Sequence, residues 1–378
     1  MSDIILKGRQ VMGYDVLVKI ANGLDVPHGW MGLAYDEDIE VQPQPAEEVD
    51  EEVKRRALLA AGGVALLGSP VLGELLHIPV RPAAPTPLPS RLGASDVSAI
   101  KALTSELRTM ARTYGGCAET VTAVAARSRP LMSIPGSDSA RAELGSALAD
   151  LHTMAGWCCV DSGYHDNARA CFATAMDLAP HDGYQFASAL RHAGMHMRDA
   201  GAYNDDLKAC QLGLIKLGES PDTPETAESV AWLTAESAVA LSTMGCRDEA
   251  EKAISTAREH RLSDTFDEAD MDYAVANVYR RLGRLDLAEP FAASSLRKWP
   301  GTSHRDSVLS DIALATIHVQ TGEHDSPALA HRAIKSVAGI HSVRARMSVN
   351  SLVEALETRP KAENRELAMM ARRVSGRA

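Results

Sequence analysis

Five glycines recur at nearly equal intervals through the C-terminal part of the chain. Gly163, Gly201, Gly245, Gly283 and Gly322 are separated by 38, 44, 38 and 39 residues. Each lies between two stretches in which apolar residues recur every three or four positions, the spacing of an amphipathic helix. A tight turn between helices favours glycine because it adopts a positive φ without steric cost. The spacing therefore predicts five helical hairpins.

The positions around each glycine repeat as well. Seven residues before the turn stand Gly156, Gly194, Ala238, Ala276 and Ala315. Five residues after it stand Ala168, Asp206, Ala250, Ala288 and Pro327, and twelve after it Ala175, Gly213, Ala257, Ser295 and Ile334. This pattern resembles the tetratricopeptide repeat, in which small residues let the two helices of a hairpin pack closely. Asp206 and Pro327 depart from it, so the second and fifth units match less well.

The repeat resemblance implies an all-α protein in which the hairpins stack into a solenoid. Segments 100–114 and 343–374 are then expected to be capping helices, because terminal repeats otherwise expose an apolar face. The composition agrees, since aromatic residues make up only 4% of the chain. Small and flexible side chains suit closely stacked helices better than strands, which favour β-branched and aromatic residues.

Charge and proline divide the chain into three parts. Nine acids and no base lie between residues 36 and 53, so this run accounts for most of the formal net charge of -11. Five prolines lie between residues 79 and 89 and predict an extended spacer. We therefore expect an N-terminal module at 1–35, a linker at 36–94 and a helical repeat domain at 95–378.

The linker contains an apolar run at 57–76, preceded by Lys54, Arg55 and Arg56. It resembles a twin-arginine signal or a membrane span only superficially. It starts more than fifty residues into the chain, is rich in Gly and Ala, and contains Pro70 and Glu74. A buried or docking helix is the favoured interpretation, and a membrane tether is the alternative.

The first 35 residues contain several short motifs in a distinctive order. They contain Ser2, Ile4, Gly8 and Arg9, then Tyr-Asp-Val-Leu at 14–17, Ile-Ala-Asn-Gly-Leu at 20–24, Pro27 and Met-Gly-Leu-Ala-Tyr at 31–35. This closely resembles the second half of the Xre/Cro-C1 helix-turn-helix domain of actinobacterial regulators that also carry tetratricopeptide repeats. The resemblance implies DNA binding through surviving recognition-helix and backbone positions, namely Ser2, Asp3, Lys7, Arg9 and Gln10.

One departure bears on that expectation. A full domain of this type has about five helices, with the recognition helix third, whereas this chain starts at Met1, within or at the end of that helix. The hypothesis is that Met1 is an internal start and the natural protein is longer. The alternatives are a truncated protein that senses or dimerises without reading DNA, and solvated helix-end roles for the five residues.

Catalytic motifs are missing from the sequence. No GxSxG, HExxH, P-loop or GxGxxG follows a strand pattern, so we predict no enzymatic activity and no cofactor. His192 and His196 have the i,i+4 spacing of a metal pair, but no third ligand is evident. The six cysteines show no CxxC pair, which favours buried reduced thiols.

The expected site is instead a groove lined by the first helix of each hairpin. Counting back from the turn glycines gives Arg191, Met195, Arg198, Trp232, Asn277, Arg280, Arg281, Thr316 and Gln320. Arginine and asparagine side chains suit the amides and carboxylate of a peptide. The alternative is that these arginines are solvated or pair with acids such as Asp199, Glu236 and Asp272.

Together these features predict a cytoplasmic transcriptional regulator. Its partners would be DNA, through a complete helix-turn-helix domain, and a peptide, protein or small ligand in the groove. Ligand binding would shift the shape of the solenoid or the geometry of a homodimer, although the sequence leaves the oligomeric state open. The alternative is an interaction scaffold or sensor with tetratricopeptide repeats that does not bind DNA.

Overall fold

The computed structural model describes residues 89–260, 262, 265–359 and 361–376. Within these ranges the chain is all-α, with 14 α-helices, one 3-10 helix at 129–133 and no strand. The helices are α1 Ala94–Tyr114, α2 Ala118–Ser128, α3 Asp138–Ser162, α4 His165–Leu178, α5 Gly183–Asp199, α6 Tyr203–Leu217, α7 Pro224–Met244, α8 Arg247–Arg258, α9 Thr265–Arg281, α10 Leu285–Lys298, α11 His304–Thr321, α12 Ser326–Val337, α13 Val343–Glu357 and α14 Ala362–Ser375. The predicted helix-turn-helix remnant at 1–35, the acidic run and the apolar segment 57–76 lie outside the described residues.

The five predicted hairpins are present, as α3–α4, α5–α6, α7–α8, α9–α10 and α11–α12. Each of the five turn glycines has a positive φ, between 75° and 85°. At the first turn the amide of Tyr164 donates to the carbonyl of Cys159 at 2.8 Å, which satisfies an end carbonyl of α3. The prediction that glycine ends the first helix of each hairpin is confirmed.

Small residues bring the paired helices into close contact. A Cβ on Gly156 would lie 2.5 Å from the ring of Phe172, the aromatic residue buried between α3 and α4. A Cβ on Gly194 would lie 2.6 Å from the carboxylate of Asp206. Asp206, which departs from the repeat pattern, is therefore accommodated by the glycine opposite it. Pro327, the other departure, lies in the first turn of α12, where no helix hydrogen bond is lost.

The last helices form a sixth hairpin, α13–α14, and α1 packs on α3. The helices α3, α5, α7, α9, α11 and α13 contact one another in that order, and α13 also contacts α3. Helix α1 contacts α11 as well as α3. The first helices of the six hairpins therefore form a closed series, in which the last contacts the first. We call these six helices the inner helices.

Buried polar contacts join the two ends of this series. Asp161, at the end of α3, accepts hydrogen bonds from Arg305 at 2.6 and 3.1 Å and from the hydroxyl of Ser342 at 2.7 Å. The amide of His341 donates to the carbonyl of Tyr114 at 3.1 Å. We call this cluster of Asp161, Arg305 and Ser342 the seam. It links residues that are 144 and 181 positions apart in the chain.

The core of the described chain is built mainly of alanine, leucine, isoleucine and valine. All six cysteines are free thiols. No helix among the described residues is long and apolar enough to cross a membrane. The apolar segment 57–76 lies outside that search.

Candidate functional site

A cavity of about 750 Å³ lies where the inner helices meet. Its walls come from α1 and from all six inner helices, so residues distant in sequence face one another across it. The volume is within the roughly 300–1,000 Å³ that small-ligand sites occupy. Three of the four tryptophans of this aromatic-poor chain line the cavity: Trp157, Trp232 and Trp299.

The structure brings six of the nine predicted groove residues to this cavity. They are Arg191, Met195 and Arg198 of α5, Trp232 of α7, and Asn277 and Arg281 of α9. The other three, Arg280, Thr316 and Gln320, do not line it. Thr316 is fully buried between α11 and its neighbours, so it cannot face the cavity. Its hydroxyl donates to the carbonyl of Ile312 at 2.7 Å. The carbonyl of Gln320 accepts a hydrogen bond from Arg359 at 2.7 Å.

The glycine spacing does not predict the cavity walls that come from outside the middle hairpins. The missed side chains include Arg108 and Arg112 of α1, Trp157 of α3, Arg305 of α11 and Arg344 of α13. The sequence does contain a signal that predicts one of these side chains, Trp157, as a cavity residue. Trp157 lies six residues before Gly163, the same distance that separates Met195 and Asn277 from their own turn glycines.

Arg198 is held between two carboxylates at the α5–α7 wall. It donates to Asp206 at 3.0 Å and to Glu236 at 2.7 Å, and all three side chains are buried. Burial alone would raise the pKa of Glu236, but Arg198 and Arg191 outweigh it and hold that pKa below its ordinary value. Burial raises the pKa of Asp206 to about 6 despite the opposing effect of Arg198. Arg198 thus pairs with two buried acids, and the pKa of Glu236 is lowered whereas that of Asp206 is raised.

Arg191 lies over the ring of Trp232, with its guanidinium carbon 4.1 Å from the ring centroid. It approaches Glu236 at 3.5 Å and Asp270 at 3.7 Å, and its buried Nε has no hydrogen-bond partner among the residues that the structure describes. Burial raises the pKa of Asp270 to about 6, with Arg191 opposing the rise and Asp306 and Glu236 adding to it. These side chains form a polar wall whose hydrogen-bonding capacity is incompletely used.

Several of the acids considered as alternative partners do pair with cations. Glu236 pairs with Arg198, and Asp199 pairs with Arg344 at 3.2 Å. Asp272, which does not line the cavity, pairs with Lys298 at 2.9 Å. Arg281 differs, because among the described residues no carboxylate lies within 4.0 Å of it. Its one hydrogen bond goes to the carbonyl of Asn277 at 3.4 Å.

The histidine pair at i,i+4 is occupied by other contacts. A ring nitrogen of His192 lies 2.8 Å from the carbonyl of Ser188, and the ring packs edge-on against Trp157. Burial lowers the pKa of His192 to about 4. His196 stacks on His165 at 5.1 Å between ring centroids. In the part of the chain that the structure describes, no group of three or more His, Cys, Asp or Glu side chains is placed to hold a metal ion.

The five residues proposed to contact DNA, Ser2, Asp3, Lys7, Arg9 and Gln10, lie outside the described residues. Comparison with known proteins adds no assignment, since no protein-family model matches the chain and no curated protein matches it significantly.

Proposed function

We propose that this chain is a cytoplasmic transcriptional regulator whose tetratricopeptide-like helical repeats bind a ligand and thereby control DNA binding. The observation that carries the ligand-binding half is the convergence of Arg191, Arg198, Trp232, Asn277 and Arg281 on one cavity. These side chains come from three different hairpins. A cavity with aromatic walls and incompletely satisfied polar groups is the usual form of a binding site.

The cavity favours a small ligand or a short peptide over a folded protein partner. Its volume of about 750 Å³ accommodates a ligand of drug-like size. A ligand touching α5, α7 and α9 together would favour one spacing of these helices over another, so its binding energy would bias the arrangement of the hairpins. This is the mechanism by which occupancy would alter DNA affinity.

The DNA-binding half rests on the resemblance of residues 1–35 to the second half of an Xre-type domain. Ser2, Asp3, Lys7, Arg9 and Gln10 are the proposed contacts. The competing proposal is a scaffold or sensor that binds a ligand without reading DNA, and the acidic run between 36 and 53 favours it. Net negative charge close to a DNA-binding module opposes association with phosphates.

Ligand binding is tested by the thermal stability of the full chain. The probe is the low-molecular-mass fraction of an extract from the source cells. We expect this fraction to raise the Tm of the wild type by several degrees, because a ligand that binds only the folded state stabilises it. Trp232→Ala should abolish the rise. The control Arg169→Gln alters an exposed ion pair with Asp166 outside the cavity and should retain it.

DNA binding is tested separately by retention of genomic fragments over a salt series, with and without the same fraction. The regulator proposal expects selective retention of particular fragments and a change in retention when the fraction is added. The scaffold proposal expects no sequence preference at any salt concentration. A Tm rise without selective retention would leave the ligand site standing and reject the regulator.

A further inference from the structure

Arg281, the last residue of α9, is a cation without a counterion in the described part of the chain. It is accessible and lines the cavity, yet no carboxylate of the described residues lies within 4.0 Å of its guanidinium group. Its one hydrogen bond within those residues goes to the carbonyl of Asn277, at a long 3.4 Å. A guanidinium group carries five N–H donors, so most of this hydrogen-bonding capacity is unused.

The other arginines that line the cavity are engaged. Five of them pair with a carboxylate at between 2.6 and 3.5 Å: Arg108 with Asp150, Arg191 with Glu236, Arg198 with Glu236, Arg305 with Asp161 and Arg344 with Asp199. Arg112 takes part in an interaction as well. The charge of Asp199 also acts on Arg281, but Arg344 holds that carboxylate at 3.2 Å. Among the described residues, Arg281 is therefore the cavity arginine that is left for a ligand.

The surroundings of Arg281 favour an anion. Burial, followed by the charges of Arg280 and Arg198, lowers the pKa of Arg281 to about 10. Arg280 does not line the cavity, so it adds positive potential without offering a second contact to a ligand. The same charges that disfavour the protonated guanidinium group favour an anion placed against it. A bound anion would offset this repulsion and use the free N–H donors.

The site suits one negative charge rather than two. Two acids hold Arg198 in the adjoining wall, Asp206 at 3.0 Å and Glu236 at 2.7 Å, and they would repel a second negative charge. A phosphate monoester carries a charge of about −1.5 to −2 near neutral pH, whereas a carboxylate carries one. A planar carboxylate also matches the parallel N–H groups of a guanidinium fork. A carboxylate is therefore the better match to Arg281.

The cavity-lining face of α9 that leads away from Arg281 carries no charge for about three turns. Asn277, Ala274 and Tyr273 line the cavity four, seven and eight residues before Arg281, positions that recur on one side of an α-helix. The next charged residue on this face is Asp270, about 16 Å from Arg281 along the axis at a rise of 1.5 Å per residue. The body of a ligand held at Arg281 would thus meet an amide, a methyl group and a phenol ring.

We propose that the cavity binds an organic carboxylate, with its carboxylate group on the guanidinium group of Arg281 and its uncharged body along Asn277, Ala274 and Tyr273. This proposal rests on the proposed function, since it names the ligand class of the same cavity. Two kinds of molecule present such a group within this volume, a small organic acid and the C-terminus of a short peptide. Both would make the same contact with Arg281.

The test is equilibrium dialysis of the full chain against two series of probes, with bound molecules counted by mass spectrometry. The first series is a library of carboxylic acid fragments, each with its primary amide and its phosphonate analogue. The second series is a pool of N-acetylated tripeptides of random sequence, with free or amidated C-termini. We expect the wild type to retain acids from one series or both. Their amides should bind about tenfold more weakly or worse, because they lose a charge-assisted contact.

Three variants assign the preference for acids to Arg281. In Arg281→Gln, each acid and its amide should bind equally, because the group that distinguishes them is gone. Arg281→Lys keeps the charge but not the planar fork, so part of the preference should remain. The matched control is Arg280→Gln, which removes the neighbouring charge outside the cavity and should keep most of the preference. Circular dichroism melts establish that each variant folds.

Equal binding of acids and amides by the wild type would overturn the proposal, as would an unchanged preference in Arg281→Gln. Tighter binding of phosphonates than of carboxylates would overturn the single charge. Retention in one series alone supports the proposal and assigns the source of the carboxylate. If no acid is retained while the cell extract still raises the Tm, the carboxylate proposal fails and the ligand site stands. If neither is observed, both fail.

Discussion

Arg198 shows how a departure from the repeat pattern serves the cavity. The second hairpin carries Asp206 where the first, third and fourth units carry alanine, and Gly194 leaves room for its carboxylate. That carboxylate and Glu236 of the next hairpin hold Arg198 in the cavity wall. The position that weakens the match to the repeat is thus the one that fixes a charged side chain.

Asp270 is an acid whose ionised form is disfavoured in the folded state. Its pKa is raised from 3.8 to about 6, mainly by burial, while Arg191 and Arg344 oppose the rise and Asp306 and Glu236 add to it. The folded state therefore binds more protons than the unfolded state between about pH 4 and pH 6, and this group lowers stability as the pH rises through that window.

We predict that Asp270→Asn removes this penalty. Above pH 6 the ligand-free variant should be more stable than the wild type by about 1 kcal/mol, a figure reduced for solvent screening of a side chain that is 35% exposed. Its stability should also fall less steeply between pH 4 and 6. Urea unfolding across pH measures both. Asp272→Asn, which loses a contact to Lys298, should show neither effect, and a less stable Asp270→Asn would contradict the account.

At the scale of elements, close approach of paired helices depends on the small residues. We predict that Gly156→Ala destabilises the protein by about 1 to 2 kcal/mol, because a Cβ would press on the ring of Phe172 at 2.5 Å. The gain of about 1 kcal/mol in helix propensity offsets part of that cost. Chemical denaturation measures the change. Gly301→Ala, with nothing within 4 Å of its Cβ, should stay within about 0.5 kcal/mol.

The seam holds three elements, α3, α11 and the start of α13, through one carboxylate. Asp161 is 4% exposed and accepts hydrogen bonds from Arg305 and Ser342. We predict that Asp161→Ala costs about 3 kcal/mol, because Arg305 is left buried with Asp306 as its one remaining acid in the described part of the chain.

The comparison for the seam is Asp166→Ala, which removes an exposed ion pair with Arg169 and should cost less than about 0.5 kcal/mol. Both values come from urea unfolding at neutral pH. A cost for Asp161→Ala no larger than that of Asp166→Ala would show that the inner helices close without this contact.

A local sequence pattern predicts the individual hairpins but not the contacts between distant hairpins. Turn glycines and the small residues opposite them act within one hairpin, so their spacing predicts the five hairpins. The contact of α13 with α3 depends instead on how all the hairpins between them are oriented, and no local pattern encodes that arrangement. For the same reason Arg191 and Asn277 were predicted as groove residues, whereas Arg305 and Arg344, which reach the cavity only through this closure, were not.

At the scale of the whole molecule, the proposed regulator has a ligand-binding part and a DNA-binding part, which different observations support. The structure describes the cavity, whereas the proposed DNA-binding role rests on the resemblance of the sequence at 1–35 to an Xre-type domain. The central claim is that a ligand occupies the cavity between the inner helices. Trp232 reports directly on that event, since it is 5% exposed, lines the cavity and lies against Arg191.

The most direct measurement is the fluorescence of a full chain in which Trp30, Trp157 and Trp299 are replaced by Phe. The low-molecular-mass fraction of the source-cell extract is titrated into this protein. We predict a saturable change in the Trp232 emission that runs parallel to the rise in Tm and is lost in Arg191→Gln. An extract that raises the Tm while the Trp232 emission stays constant would place the ligand elsewhere and contradict the claim.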